Sequence, residues 1–331
     1  MHIADQGIFG TSVMVVKDMM ARLSDKDFHG LVHCGDISYA DKYQGSRPPP
    51  SGMSEQSTWD TWGQMVEPIA TKIPYMVTPG NHEVVGYESA WENGTIYQKR
   101  FIMPGNERFY SFGIGMVYFI SVSTDDDIGV GTTQGAWFEQ TLAGINRDTY
   151  PWVVVFQHRP IYNSNTNHGN WTGESTYKYD AAPHIILPTY SGWGNGHYED
   201  LIVKYRVDFV LTGHVHHYER TYPVKRVKKD AVEAERKKRE VEEEAGYRKK
   251  RDTAEDDGEE WVAMSTKSYE DVRDPIHITC GHAGKGLYTK SWSDYEDEDG
   301  NRPPVYQANW AFSAAKTNDV WGHCEMEFID R

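Results

Sequence analysis

The sequence predicts an α/β fold in which strands alternate with helices on largely parallel sheets. The first observation is a series of short apolar segments that predict strands, at Gly30–Cys34, Ile73–Val77, Met116–Val122, Trp152–Gln157 and Val207–Leu211. The second is that segments with helical spacing fall between them, at Ser12–Leu23, Thr58–Thr71, Ala90–Ile102, Gln134–Ile145 and Tyr198–Tyr205. The third is that side chains able to bind metal ions follow several of the strands, at the end where α/β folds place their sites.

Two elements need separate justification. The helix at Thr58–Thr71 is predicted from apolar residues at three- and four-residue intervals, namely Trp62, Met65, Val66 and Ile69. The segments Phe109–Phe112 and Met116–Val122 are instead joined by a short turn with Gly113 and Gly115, which favours a β-hairpin. Because a hairpin adds an antiparallel pair to parallel strands, we expect a mixed sheet.

Charge and composition exclude several classes of protein. The chain has 331 residues and a formal net charge of −15, which argues against non-specific nucleic-acid binding because that requires a basic surface. No segment approaches the roughly 20 apolar residues of a membrane-spanning helix, so no membrane partner is expected. The three cysteines (Cys34, Cys280 and Cys324) are too few for a disulfide framework, and their odd number indicates no compartment.

Two segments interrupt the alternation. Tyr43–Ser57 is rich in Gly, Pro and Ser and predicts a surface loop. A segment at about 225–262 is almost wholly charged, and we interpret it as an exposed helical or disordered insertion, with an arm that binds a partner as the alternative. Two sequons, at Asn93 and Asn170, would carry glycans if the chain were secreted.

The first two polar motifs carry oxygen ligands. Asp5 precedes Gly7, whose missing side chain allows a close approach of the backbone to a metal ion. Asp36 follows an apolar strand, and a carboxylate in that position can bridge two cations with its two oxygens. Tyr39 lies three residues further on. A phenolate binds strongly Lewis-acidic ions such as Fe(III), and the alternative is a hydrogen-bonded loop tyrosine.

The remaining motifs add an amide and imidazoles. Asn81 offers a neutral oxygen, and His82 beside it either binds a metal or meets the substrate. His158 ends the most apolar strand of the chain. His214 and His216 are two residues apart in an extended segment, so both imidazoles face the same side and can serve two neighbouring metals.

The ordered set resembles the metallophosphoesterase superfamily and, within it, the purple acid phosphatases. The flanking segments His158–Tyr162 and Gly213–Arg220 are also similar to this family. Gly7 stands where many relatives carry a metal-binding histidine, and Tyr39 replaces their Asp-Arg, which narrows the resemblance to the purple acid phosphatases.

The resemblance implies a role for each of these residues. Fe(III) would be held by Asp5, Tyr39 and His216. A divalent ion, which could be Zn, Mn or Fe, would be held by Asn81, His158 and His214, and Asp36 would bridge the two ions. The leaving alkoxide needs a proton, and the two candidate acids are His168 and His82.

The resemblance also implies the fold and the reaction. We expect a four-layer α/β/β/α sandwich of two mixed β-sheets flanked by helices, extending over 1–331 with the charged insertion at about 225–262. We expect hydrolysis of small phosphomonoesters by in-line attack of a metal-bound hydroxide on phosphorus. The alternatives are a phosphodiesterase or pyrophosphatase, and a catalytically weak fragment that binds a partner through the insertion.

Other features of the family are expected rather than visible. Members are usually secreted, lysosomal or vacuolar, and the resemblance leaves room for a homodimer. This chain shows no signal peptide and no N-terminal β-sandwich, so we interpret it as N-terminally truncated. Since Asp5 lies so near the start, we expect a short first strand to hold it loosely.

Overall fold

The computed structural model describes residues 1–41, 56–84, 94–162, 197–221, 223, 274–285 and 322–328, and the backbone of 313–317. Three strands form a parallel sheet in the order β1–β2–β3. They span His2–Ile3, Leu31–Cys34 and Tyr75–Thr78. Because all three run in the same direction, their carboxyl ends lie at one edge of the sheet.

The second sheet is mixed and has seven strands in the order β10–β8–β9–β7–β6–β5–β4. In chain order, the strands β4 to β10 are Tyr110–Ile114, Val117–Ser121, Trp152–Phe156, Phe209–Thr212, Tyr218–Thr221, Ile276–Cys280 and Ser313–Thr317. The strands β5, β6, β7 and β9 pair in parallel, and β4 and β8 add antiparallel pairs. The predicted hairpin is confirmed as β4 and β5, which meet at the turn after Ile114.

Helices cover the outer face of each sheet. The described helices α1 to α6 are Gly10–Asp25, Gln56–Ala70, Asn81–Val84, Thr95–Arg100, Thr133–Gly144 and His197–Lys204. Within the part of the chain that the structure describes, no helix combines the length and the apolar character needed to cross a membrane.

Three clusters of buried side chains separate four layers. One packs α1 and α2 against the three-stranded sheet and includes Met19, Leu31 and Trp62. A second packs α5 and α6 against the seven-stranded sheet. The third lies between the two sheets. In β6, Val154 and Phe156 face it while Val153 and Val155 face the helices, as the period of a strand requires. The predicted four-layer α/β/β/α sandwich is therefore confirmed, although the pairs described in the smaller sheet are all parallel.

Most predicted elements lie within two residues of the observed ones. The helix predicted at Ala90–Ile102 is observed as Thr95–Arg100, and residues 90–93 lie outside the described part. The predicted loop Tyr43–Ser57 also lies largely outside it, and its last two residues belong to α2. The charged insertion at about 225–262 and the sequon residues Asn93 and Asn170 lie outside the described residues as well.

The first strand is short, but the chain that follows it is well anchored. The backbone N–H of Asp5 donates to the Gly35 carbonyl (3.1 Å), and the next two N–H groups donate to the carbonyls of Asp36 (3.2 Å) and Ile37 (2.9 Å). The side chain of Asp5 is fully buried. These bonds continue the β1–β2 ladder past the end of the strand, so the loose attachment expected for Asp5 is not what the structure shows.

Two of the three cysteines form a disulfide. Cys280, the last residue of β9, is bonded to Cys324, and Cys34 is a buried free thiol. The odd number of cysteines therefore consists of one disulfide-bonded pair and one free thiol. The disulfide joins the second sheet to the segment 322–328, which pairs with β1 through a bridge between His2 and Cys324.

Helix α1 offers a matched test of this packing. Met19 is fully buried and Met14 is 69% exposed on the same helix. We expect Met19→Ala to reduce the free energy of unfolding by about 2–5 kcal/mol, because it leaves a cavity in the core. Met14→Ala should change it by less than about 0.5 kcal/mol. Denaturant unfolding of the two variants measures the difference, and equal losses would contradict the described orientation of α1.

Candidate metal centre

The predicted site residues follow the carboxyl ends of strands in both sheets. Asp5, Asp36 and Asn81 lie within three residues of the ends of β1, β2 and β3. His158 follows β6, and His214 follows β7, in each case after one intervening residue. The strands themselves are set by their apolar side chains, so burial of the core fixes where each polar side chain emerges.

Backbone hydrogen bonds bring the two sheet edges together. The His214 N–H donates to Asp5 Oδ2 at 2.7 Å, across 209 residues of sequence. The His158 Nδ1–H donates to the Cys34 carbonyl at 2.8 Å. In the neutral imidazole, this second bond leaves the lone pair on Nε2 of His158, as in a metal-binding histidine.

Three of the predicted side chains form a first group. The Tyr39 hydroxyl donates to Asp5 Oδ1 at 3.2 Å and lies 3.1 Å from Nε2 of His216. Nε2 of His216 lies 3.3 Å from Asp5 Oδ1, which closes a triangle of donor atoms. All three side chains are buried.

Four other predicted side chains form a second group around Nε2 of His158. It lies 3.1 Å from Asn81 Oδ1, 3.2 Å from Asp36 Oδ1 and 3.2 Å from His214 Nδ1. The structure therefore places the seven predicted ligands in two groups. Asp36, for which the resemblance implies a bridging role, lies in the second group.

The spacing of these donor atoms suits a coordinated ion. Ligand atoms about 2.0–2.2 Å from a shared cation lie roughly 3.0–3.5 Å from one another. The three donor atoms of the first group lie 3.1–3.3 Å from one another, and in the second group Nε2 of His158 lies 3.1–3.2 Å from its three partners. The carboxylate, phenol, amide and imidazole groups are also the types that Fe(III), Mn and Zn accept. The residues present therefore fit a pair of metal ions.

The charges of the second group point to the same conclusion. Burial opposes the charged form of Asp36, but His158 and His82 outweigh it and hold the pKa of this carboxyl well below its usual range. Burial likewise opposes the charged imidazole of His158, yet Asp36 raises the pKa of His158 to about 9. Without a metal, a proton on the histidine supplies the positive charge that the buried carboxylate requires, and a cation can replace that proton.

Backbone strain is concentrated at the candidate ligands. Among the described residues, five that are not glycine have positive φ, and four of them are candidate ligands. These are Asp5 (57°), Asp36 (50°), Tyr39 (56°) and His214 (68°). Such conformations cost of order 1–3 kcal/mol each and persist where function requires a particular direction of a side chain.

Several glycines leave the room that the ligands need. They are Gly35, Gly80, Gly213 and Gly281. A Cβ on Gly80 would lie 2.3 Å from Asp36 Oδ1, and a Cβ on Gly213 would lie 2.7 Å from Asp5 Oδ2. No side chain fits in either position. Gly7 has a related role, because its Cβ would lie 3.1 Å from the ring of Tyr39, so the tyrosine and a side chain at position 7 compete for the same space.

One important residue was not given a role from the sequence. Glu83 accepts hydrogen bonds from the backbone N–H groups of Asp36, Ile37 and Gly80, each at 2.8 Å. Burial, and then the nearby Asp36, raise the pKa of Glu83 to about 7. The carboxyl group joins the turns after β2 and β3 and so fixes both Asp36 and the loop that carries Asn81. Its position in the motif with Asn81 and His82 was the signal that could have identified it.

Two charged residues beside the site also escaped the sequence analysis. Arg159 donates to Asp125 Oδ1 through Nε (3.0 Å) and Nη2 (2.9 Å), and through Nη1 to Nε2 of His214 (3.1 Å). This contact turns Nδ1 of His214 towards the second group. Lys285 places its ammonium 4.7 Å from the ring centre of Tyr39, and its backbone N–H donates to the Asp5 carbonyl.

Of the two candidate acids, the structure describes His82. Its Nδ1 lies 2.7 Å from Asp41 Oδ2, its Nε2 lies 3.6 Å from Asp36 Oδ2, and its ring centre lies 4.4 Å from that of Tyr39. His82 is thus held at the edge of both groups. His168 lies outside the described residues.

The glycine at position 80 gives a direct test of the site. We expect Gly80→Ala to lower the bound metal per chain by at least half, because the added methyl group displaces Asp36. Gly63→Ala is the matched control, since a Cβ on Gly63 meets nothing within 4 Å. Elemental analysis of both purified variants, with circular dichroism to check folding, would measure the effect. Full metal content in a folded Gly80→Ala variant would show that metal binding does not depend on the observed position of Asp36.

Comparison with known proteins agrees with this geometry. A family model described as "Calcineurin-like phosphoesterase" matches residues 2–218. Probable purple acid phosphatase 20 of Arabidopsis thaliana is 35% identical over 224 residues, which cover 66% of this chain and 45% of that protein. Probable inactive purple acid phosphatase 1 of the same species is 32% identical over 226 residues, which cover 65% of this chain and 32% of that protein.

A solved structure shows the same fold. A purple acid phosphatase from yellow lupin (Lupinus luteus) seeds superposes with a TM-score of 0.63 at 22% identity, covering 96% of this chain and 47% of that one. The chain spans less than half the length of these relatives. The family match extends over most of the described site, and the three relatives named here are called purple acid phosphatases, as the resemblance predicted. The chain belongs to the calcineurin-like phosphoesterase family.

Proposed function

We propose that this chain is a binuclear metal-dependent acid phosphatase that hydrolyses small phosphomonoesters. The observation that carries the proposal is the pair of donor groups, each with separations of 3.1–3.3 Å, joined by the hydrogen bond from His214 to Asp5. Two adjacent cations suit a tetrahedral phosphate that spans both.

The two groups differ in charge, and this difference supports different metals. Asp5, Tyr39 and His216 would hold Fe(III), because a carboxylate and a phenolate together offset its high charge. Asn81, His158 and His214 would hold a divalent ion (Zn, Mn or Fe), and Asp36 would lie between the two ions. When bound, the metals would neutralise the phosphoryl oxygens and make a water molecule more acidic.

Residues of the chain supply the remaining requirements of the reaction. The leaving alkoxide needs a proton, and His82, oriented by Asp41 at 2.7 Å, is the described residue able to donate it. His168 remains the second candidate from the sequence. Arg159 holds His214 in place through the contact between Nη1 of Arg159 and Nε2 of His214 (3.1 Å). Lys285 places its ammonium group 4.7 Å from the centre of the Tyr39 ring, and this cation–π contact helps to position the phenol.

One alternative has a specific observation in its favour. A relative 32% identical to this chain bears a name that calls it probably inactive, so a catalytically weak protein is the second candidate. All seven predicted ligands are present here, and each of them has a contact of 3.1–3.2 Å with another predicted ligand. This completeness favours the active form.

The family resemblance also supports a secreted or vacuolar location. The disulfide between Cys280 and Cys324 suits an oxidising compartment. The same resemblance leaves room for a homodimer.

Activity on two matched esters tests the proposed reaction. We expect the purified chain, with two metals bound, to hydrolyse p-nitrophenyl phosphate faster than bis(p-nitrophenyl) phosphate at acid pH. Asp36→Asn should reduce the rate by about a hundredfold or more, since loss of even the outer partners of metal ligands costs roughly 10–100-fold. Asp148→Asn, at an exposed carboxylate, is the control. Faster hydrolysis of the diester would indicate a phosphodiesterase, and no hydrolysis of either ester would favour the inactive alternative.

Absorption spectroscopy tests the proposed iron ligand. We expect the iron-loaded protein to show a visible charge-transfer band that Tyr39→Phe removes while some hydrolysis remains. Tyr110→Phe is the control, because the Tyr110 hydroxyl donates to the Val77 carbonyl at 2.7 Å, away from both donor groups. A band that persists in Tyr39→Phe would rule out this tyrosine as the iron ligand.

A further inference from the structure

We propose that His2, Cys280 and Cys324 form a second metal site, separate from the phosphatase centre, which binds one Zn²⁺ when the disulfide is reduced. A ring nitrogen of His2 and the two sulfur atoms all lie within 4.8 Å of one another. His2 and Cys280 are fully buried, and Cys324 is 9% exposed. Thiolate and imidazole are the ligands of structural zinc sites.

The hydrogen bonding of His2 leaves one ring nitrogen suited to a metal. Nε2 lies 3.1 Å from the Thr212 carbonyl, and a carbonyl only accepts, so Nε2 carries the proton. Nδ1 is then unprotonated and carries a lone pair. It is buried and has no hydrogen-bond partner within the part of the chain that the structure describes. A histidine that donates to a backbone carbonyl through one nitrogen and presents the other is the arrangement found in zinc ligands.

The environment of His2 also keeps the ring neutral, as a metal ligand must be. Burial, reinforced by the positive charge of the N-terminus, lowers the pKa of His2 to about 3. A buried acceptor without a donor destabilises the folded protein, and a bound metal would satisfy it.

The three residues come from three different parts of the fold. His2 lies in β1, Cys280 ends β9, and Cys324 lies in the segment 322–328. The backbone groups of His2 and Cys324 exchange two hydrogen bonds of 2.9 Å, and the sulfur atom of Cys280 lies 3.3 Å from the His2 carbonyl oxygen. The site therefore links the strand that carries Asp5 to the second sheet. Either a disulfide or a zinc ion would hold this link.

The proposed exchange balances chemically. A dithiol reductant transfers two electrons and two protons to the disulfide, which gives the Cys280 and Cys324 thiols and the oxidised form of the reductant. Zn²⁺ then replaces the two thiol protons, which leave to solvent, and His2 contributes its lone pair without losing a proton. A water molecule would complete four-coordination. An oxidant that re-forms the disulfide would release the zinc.

The comparison of one preparation in two redox states tests the proposal. The full-length metal-loaded protein is divided, and one half is reduced with a dithiol that is then removed. Both halves receive Zn²⁺, and bound zinc is counted by elemental analysis. We expect one additional zinc per chain in the reduced half, with Cys280 and Cys324 protected from alkylation. Because both halves carry the same phosphatase metals, the difference is independent of the proposed function.

Variants and a second ion complete the test. We expect His2→Asn to weaken the additional zinc binding by roughly tenfold or more. His277→Asn, at a buried histidine of β9, should leave it unchanged. Co²⁺ added to reduced wild-type protein should produce a thiolate-to-metal absorption, a readout that requires no variant to fold. Equal zinc content in the two halves, absence of that absorption, or unchanged affinity in His2→Asn would each overturn the proposal.

Discussion

The site depends on a close approach of the backbone at the carboxyl ends of two sheets. The hydrogen bond from the His214 N–H to Asp5 Oδ2, at 2.7 Å, joins the edges directly. This approach is possible because position 213 has no side chain: a Cβ on Gly213 would lie 2.3 Å from Cβ of Ala4. Protein interiors are too densely packed to absorb such an overlap. The arrangement of the donor groups in the proposed centre therefore depends on glycine at position 213.

Burial of charge is the second constraint. Asp5 and Asp36 lie almost entirely out of solvent, and ionised carboxylates in that environment need positive partners. The raised pKa of His158, which Asp36 brings to about 9, is the response of the metal-free protein to that need. Two metal ions would meet it more fully. The same electrostatics that make the site unfavourable without cations give it affinity for them.

The buried histidines of this protein divide into two kinds. His33 and His277 have pKa values lowered to about 3 by burial and have no carboxylate that reverses the shift. Their burial agrees with a structural role. His158 lies among carboxylates, and its pKa is raised instead. His2 is neutral, like the first kind, but a ring nitrogen lies close to two sulfurs. Residue type alone does not separate these cases, because the neighbours decide which form of the ring is stable.

The sequence by itself determined the positions of β2 to β7, the places where polar side chains follow strands, and the identity of the candidate ligands. These features are local: apolar runs form strands, and a polar residue directly after a run must lie at a strand end. Only the tertiary structure gave the distances between the ligands, and it alone brought Arg159 to His214 and Lys285 to Tyr39. The disulfide between Cys280 and Cys324, and its position beside His2, were also decided only by the tertiary structure. These contacts join residues far apart in the chain, and their distances are set by how two sheets pack, which no local pattern records.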